Sequence, residues 1–149
     1  IEIFNDGNQI LDTGGGILNI INRSNENDFI VLNPDTLWGD NYLDTTINMM
    51  NYYFEKKLKN LLMIVNKEKS FDKRMVGDFT LSNERLLKNK ENNFIYTGLQ
   101  IFNKSLFEKK KVMPFSVTNI WDEAISNKIL YGFESKEPFI HLTDLKIRK

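Results

Sequence analysis

Asp35 stands where an α/β sheet can use a carboxylate. It follows the apolar run Phe29-Ile30-Val31-Leu32 and the pair Asn33-Pro34. Proline has no N–H to add to a ladder, so the strand stops there and the aspartate is presented at its tip. A carboxylate held in that way can bind Mg²⁺ while the metal bridges phosphate oxygens. It can equally do no more than cap the turn after the proline. Upstream lies Asp12-Thr13-Gly14-Gly15-Gly16. Its glycines permit close approach of a planar base or ribose, and their N–H groups can meet an anion or a carbonyl, or the segment is a plain turn. The spacing is neither a dinucleotide-binding fingerprint nor a phosphate-binding P-loop. Gly98, inside the run from Asn93 to Phe102, marks a bulge or a close approach of backbone to ligand. His141 is the sole histidine. No metal-ligand cluster surrounds it in sequence, and it reads as a structural side chain.

The elements that must position these residues follow from periodicity. Ile1 to Phe4 and Gln9 to Leu11 read as short strands around the turn Asn5-Asp6-Gly7-Asn8. Ile17, Ile20 and Ile21 recur at helical spacing after the glycines. Phe29 to Leu32 is a continuously apolar strand of the kind helices cover on both faces. Leu43 to Leu58 is helical, with Leu43, Ile47, Met50 and Phe54 on one face, and Asn60 to Val65 is the next buried strand. Two strand–helix–strand units in succession predict an α/β fold with a mainly parallel sheet. Beyond Lys73 the pattern becomes strands and turns, a mixed C-terminal part, with one helix whose apolar face is Ile120, Trp121, Ala124 and Ile125.

A chain of 149 residues predicts one domain. Hydrophobic residues make up 41% and charged residues 27%, which excludes a disordered chain. Lys+Arg and Asp+Glu both total 20, so no global field recruits nucleic acid. With no cysteine, disulfides, thiolate metal sites and cysteine nucleophiles are excluded. No apolar run approaches the roughly 20 residues that span a membrane, and a cytoplasmic location is expected.

Several of these stretches together carry a family likeness. LDTGGGI (Leu11 to Ile17) and FIVLNPDTLW (Phe29 to Trp38) resemble the sugar-1-phosphate nucleotidyltransferases, nearest to N-acetylmuramate 1-phosphate uridylyltransferase. GDFTL, FIYTGLQIF, LFEKKKVMPFSVTNIWDEAISNKILYGF and HLTDL continue the likeness in order. It covers nearly the whole chain but only the C-terminal two thirds of such an enzyme. The implied fold is a partial Rossmann-like nucleotidyltransferase domain over residues 1–149.

The resemblance implies roles. Asp35 and Asp144 would be the catalytic, metal-binding pair holding Mg²⁺. Thr13, Gly14 and Gly15 would line the nucleobase pocket, and Gly77, Asp78, Thr97 and Gly98 the sugar-side wall. The family's Asp-Val-Gly-Thr is here Asp144-Leu145-Lys146-Ile147, and Leu142 stands at its tryptophan position. The implied reaction transfers a uridylyl group from UTP to a sugar 1-phosphate such as an N-acetylated amino sugar. Guanylyl specificity and a non-catalytic nucleotide-sugar-binding remnant are the alternatives. Nothing in Ile1 to Asp12 matches the family's Gly-rich arginine loop and Pro-Lys-Pro segment. The chain alone is therefore expected to be inactive, and to form an oligomer or a complex that supplies that half.

Overall fold

The computed structural model describes residues 1–142. Three α-helices, α1 (Asp12–Ile21), α2 (Asn41–Glu55) and α3 (Thr118–Ser126), enclose a six-stranded sheet. Its strands are β1 (Asp28–Leu32), β2 (Asn60–Asn66), β3 (Thr80–Ser82), β4 (Arg85–Leu87), β5 (Phe94–Asn103) and β6 (Tyr131–Ser135), in the order β1-β5-β2-β6-β4-β3. The α/β class expected from the sequence is the class observed. Ile1 to Phe4 and Gln9 to Leu11 form no strand.

The sheet is not mainly parallel. Among the described strands only β2 and β6 pair parallel; β1–β5, β2–β5, β3–β4 and β4–β6 are all antiparallel. The reason is the insertion of β5 between β1 and β2. Both are antiparallel to it and so run in the same direction as each other, as the β1–α2–β2 unit requires, but without sharing a ladder. β3 and β4 form a hairpin whose two turn residues, Asn83 and Glu84, have φ of 48° and 65°. Positive φ at both centres matches the right-handed twist of the flanking strands.

Side-chain alternation along β2 divides the core between two faces. Leu62 and Ile64 pack with Phe79, Leu86, Trp121 and Ala124 on the side of α1 and α3. Leu61 and Met63 pack with Tyr42, Met49, Tyr53, Leu99 and Ile101 under α2. The face of α3 is the expected one, with Ile120, Trp121 and Ala124 buried. The face of α2 is not. Leu43, Ile47, Met50 and Phe54 do share a stripe, but they are 65%, 46%, 39% and 56% exposed. The helix instead lays down Tyr42, Met49 and Tyr53, and the two tyrosine hydroxyls find partners that aliphatic side chains lack. Tyr42 Oη donates to the Pro138 carbonyl at 2.9 Å, and Tyr53 Oη to Asp28 Oδ1 at 2.7 Å.

β1 differs from expectation in the same way. Phe29 and Val31 pack in the cluster of α1, whereas Ile30 and Leu32 are 42% and 49% exposed. It is an edge strand, with only β5 beside it among the described residues.

Candidate functional site

The turn after β1 is bolted to the irregular centre of β5. Asn33 N–H donates to the Gly98 carbonyl at 2.8 Å, and Thr36 Oγ1 donates to the Thr97 carbonyl at 2.7 Å. Trp38 Nε1 closes the turn on the Asn33 carbonyl at 3.1 Å. Opposite Met63 the register between β2 and β5 shifts, and Gly98 has φ of +95°. A Cβ at Gly98 would lie 2.9 Å from Asn33 Cβ and 3.1 Å from Thr36 Oγ1. Glycine is required there twice over, by φ and by the approach of the turn. Thr97 is fully buried, and its hydroxyl donates to the Met63 carbonyl at 3.0 Å. Thr97 and Gly98 thus stand directly behind the turn that carries Asp35.

Asp35 is met from the far end of the chain. Thr36 and His141 form an antiparallel bridge, with Leu37 N–H on the Ile140 carbonyl (3.0 Å) and Leu142 N–H on the Asp35 carbonyl (2.7 Å). His141 Nε2 lies 3.2 Å from Asp35 Oδ2. The other carboxylate oxygen, Oδ1, is buried and has no hydrogen-bond partner, and the same is true of Tyr96 Oη and His141 Nδ1. Burial, and then the charge of Asp35, push the Tyr96 phenol up from its usual value. Buried polar atoms without partners are rare in folded chains, and a group of them at one strand end marks a place where a ligand or water completes the bonding. Sequence reasoning set His141 aside because it is alone in sequence. The available signal was its place in HLTDL, three residues before Asp144. Asp144 itself lies outside the described residues.

Thr13, Gly14 and Gly15 form the first turn of α1, packed on the Met113–Val117 segment. The N–H groups of Gly14 and Gly15 both donate to the Phe115 carbonyl, at 2.9 and 3.2 Å. Thr13 Oγ1 accepts from Val117 N–H at 3.0 Å. A Cβ at Gly14 would fall 2.4 Å from the Phe115 ring, and one at Gly15 2.2 Å from the Met113 carbonyl. These glycines admit neighbouring chain into the helix's first turn, which outweighs the roughly 1 kcal/mol each costs relative to alanine. Ile17, one turn on, packs in the same cluster as Tyr96 and Trp121, so α1 and Tyr96 share a face of the sheet.

Tyr96 also ties the remaining predicted residues to this end of the sheet. Its N–H donates to Asp78 Oδ2 at 2.9 Å, while Asp78 N–H donates to the Phe94 carbonyl at 2.7 Å. Desolvation by the surrounding chain raises the Asp78 carboxyl above its ordinary value, opposed by the Tyr96 N–H and the charge of Lys88. Gly77 lies under Asn92, whose carbonyl would be 2.3 Å from an added Cβ. It lines a cavity of about 690 Å³ together with Lys67, Lys73, Lys90 and Asn93. Asp35, Asp78, Thr97 and Gly98 are therefore grouped around Tyr96. Thr13 to Gly15 stand apart, joined to the group through the packing of α1.

Among the described residues no group of three or more His, Cys, Asp or Glu gathers to hold a metal ion. The donor set fits Mg²⁺ in a more limited way. Asp35 Oδ1 is a hard oxygen without a protein partner, and Mg²⁺ is commonly held by one or two carboxylates with water and phosphate filling its other positions. No helix among the described residues is long and apolar enough to cross a membrane.

No protein-family model matches the chain, and no curated protein does. Solved structures do match in fold. The inositol-1-phosphate CTP transferase from T. maritima superposes with a TM-score of 0.71 at 12% identity, over 92% of this chain and 58% of that one. HddC from Yersinia pseudotuberculosis complexed with GMP-PN gives 0.64 at 19% identity, over 94% and 60%. UDP-glucose pyrophosphorylase from Acinetobacter baumanii gives 0.64 at 15%, over 91% and 53%. The chain spans less than two thirds of the length of these structures. Over that span it shares the α/β fold of these structures.

Proposed function

We propose that this chain carries the acceptor-side and metal-side part of a nucleotidyltransferase that moves a nucleotidyl group, uridylyl in the first instance, onto a sugar 1-phosphate. An N-acetylated amino sugar is the acceptor the sequence resemblance favours, and pyrophosphate is the second product. One observation carries the reading. Asp35 stands just past the C-terminal end of β1, one carboxylate oxygen 3.2 Å from His141 Nε2 and the other buried without a partner. In α/β sheets the carboxyl ends of the strands are where ligands collect.

In this reading Asp35 and Asp144 hold Mg²⁺, which supplies neutralisation of phosphate charge when bound. A phosphate monoester dianion is nucleophilic without a general base, so the work left to this chain is alignment. Thr97 and Gly98 hold the Asp35 turn, and Gly77 with Asp78 bounds the sugar side. The amides of Gly14 and Gly15 are already bonded to Phe115. The space over both glycines is filled as well, by Phe115 and Met113, so in this reading Thr13 to Gly15 bound the nucleobase pocket through the placement of α1, with neither free amides nor open backbone.

The outer edge of β1 and the Leu43–Ile47–Met50–Phe54 stripe fit a covering strand and helix from the part of the transferase fold that lies outside the matched span. Residues 1–149 alone then bind nucleotide without turning it over. Thermal unfolding with UTP, GTP and CTP, each with and without Mg²⁺, tests the reading. UTP with Mg²⁺ should protect most and D35N should remove the Mg²⁺-dependent part. Equal unfolding under all conditions would overturn it, and stronger protection by GTP would reassign the base. Nucleotide-sugar formation by residues 1–149 alone would refute the division of labour.

A further inference from the structure

We infer that the cavity beside Gly77 binds a phosphate dianion, with Lys67, Lys73 and Lys90 as the residues that hold it; the inference stands on this cavity and needs neither the metal nor the nucleotide of the reading above. The cavity measures about 690 Å³, the size of a small-molecule site. It opens between three segments: Lys67 just after β2, residues 73–77 of the loop that follows, and residues 90–93 just before β5. β1 and β2 both run antiparallel to β5, so Lys67 leaves the sheet at the edge where Asp35 follows β1. Ligands of α/β sheets collect outside that edge.

Charge sets this cavity apart. Acidic and basic residues balance over the whole chain, yet here three lysines face one acidic wall residue, Glu91. Arg74, the fourth cation of the wall, is already bonded to Asp72 Oδ1 and Oδ2 at 2.8 and 2.7 Å. The side chains of Lys67 and Lys90 have no bonding partner among the described residues. Lys73 Nζ donates to the Glu68 carbonyl at 2.8 Å, which leaves its charge uncompensated. The N–H groups of Val76 and Gly77 are two further donors with no acceptor among the described residues. The walls are fixed before any ligand arrives. Lys67 N–H donates to the Asn93 carbonyl at 2.9 Å, and Asn92 Oδ1 accepts from Asn89 N–H at 3.0 Å. An exposed lysine alone contributes little, so the effect comes from three of them converging on one ion. Their excess of positive charge, with donors to spare, matches a group that carries two negative charges and several acceptor oxygens. A phosphate has both above its second pKa of about 6, whereas a carboxylate brings a single charge.

The test uses residues 1–149 without Mg²⁺ or nucleotide, read by amide nitrogen-15 NMR. The probes are inorganic phosphate, glucose 1-phosphate, and sodium chloride at matched ionic strength. Both phosphates should give saturable shifts at Gly77, Asn92 and Asn93 in the millimolar range, and chloride should not. Equal affinity for the two supports free phosphate as the ligand, and tighter glucose 1-phosphate supports a sugar phosphate. K67A/K90A should weaken phosphate about tenfold, whereas K109A/K111A, which removes the same charge elsewhere, should leave it within about twofold. Binding should also fall as pH drops through about 6, where phosphate becomes a monoanion. Urea midpoints of both double variants separate these effects from unfolding. No saturable shift with either phosphate overturns the inference. So does an equal response to chloride, or a folded K67A/K90A that binds phosphate like the wild type. With nucleotide and metal both absent, such a failure is distinct from a failure of nucleotide protection.

Discussion

β1 and β2 are composed alike and placed differently. Asp28-Phe29-Ile30-Val31-Leu32 and Asn60-Leu61-Leu62-Met63-Ile64-Val65-Asn66 are both apolar runs opened by a polar residue. β2 lies between β5 and β6 with helices over both faces, and Leu61 to Val65 are wholly buried. β1 lies at the edge, pairs on one side only among the described residues, and leaves Ile30 and Leu32 partly in water, as is the outer stripe of α2. The difference shows that apolar content sets which segments become strands, while neighbours set how much each strand contributes. It also separates the work of the molecule. The buried strand supplies stability, and the edge strand supplies the turn that holds Asp35.

The largest effect should fall on β2. Met63→Ala and Leu61→Ala remove fully buried side chains and should each cost about 2–5 kcal/mol in urea unfolding. Ile30→Ala and Leu32→Ala should stay within about 0.5 kcal/mol in the isolated chain. A cost above 2 kcal/mol at Leu32 would mean that β1 is covered in solution, and the contrast would fall. Next comes Gly14→Ala, whose new methyl meets the Phe115 ring at 2.4 Å and a backbone carbonyl at 2.9 Å. Overpacking of this kind should destabilise by about 1–3 kcal/mol, and the loss of α1 packing is read by chemical denaturation. Tyr53→Phe removes the donor that ties α2 to the start of β1 and should cost about 1 kcal/mol. Leu43→Gln on the open stripe of the same helix should leave the midpoint unchanged.

The smallest effects are pH limbs of opposite sign in the loop that follows β2. The Arg74 side chain, and then its backbone N–H, hold the Asp72 carboxyl at about 2, below the ordinary 3.8. A lowered folded-state value gives stability present above 3.8 and lost as pH falls through about 2. D72N should flatten that acid limb of a melting-temperature profile. Asp78 is raised, by desolvation first, so its contribution is full below the unfolded value and lost as pH rises through the folded one. D78N should therefore raise the melting temperature near neutrality. A fall there would show that the Tyr96 N–H bond outweighs the desolvation.

Much of the architecture was legible along the chain. β2, β5, α2 and α3 lie where periodicity puts them, and the Gly98 irregularity shows in a single glycine inside a strand pattern. Asp35 emerges at the end of its strand because proline ends a ladder wherever it occurs. The face of α2 was not legible, since that helix has two apolar stripes and hydrophobicity ranks Leu43, Ile47, Met50 and Phe54 above the tyrosines that the core took. The glycines of α1 read as a turn because a helix seldom begins with three. Only the Met113–Val117 segment, about a hundred residues away, gives them a reason.

The sequence by itself determined the local matters: which segments extend or coil, where they stop, and that a carboxylate stands at one strand's end. These depend on neighbouring residues and on backbone sterics. Only the tertiary structure decided that β5 lies between β1 and β2 and makes the sheet mostly antiparallel. It alone exposed one apolar stripe while burying another, and brought His141 to Asp35. Each of these is a pairing between distant segments, selected by which combination buries the most apolar surface with its polar atoms satisfied, and no window of the chain contains both partners.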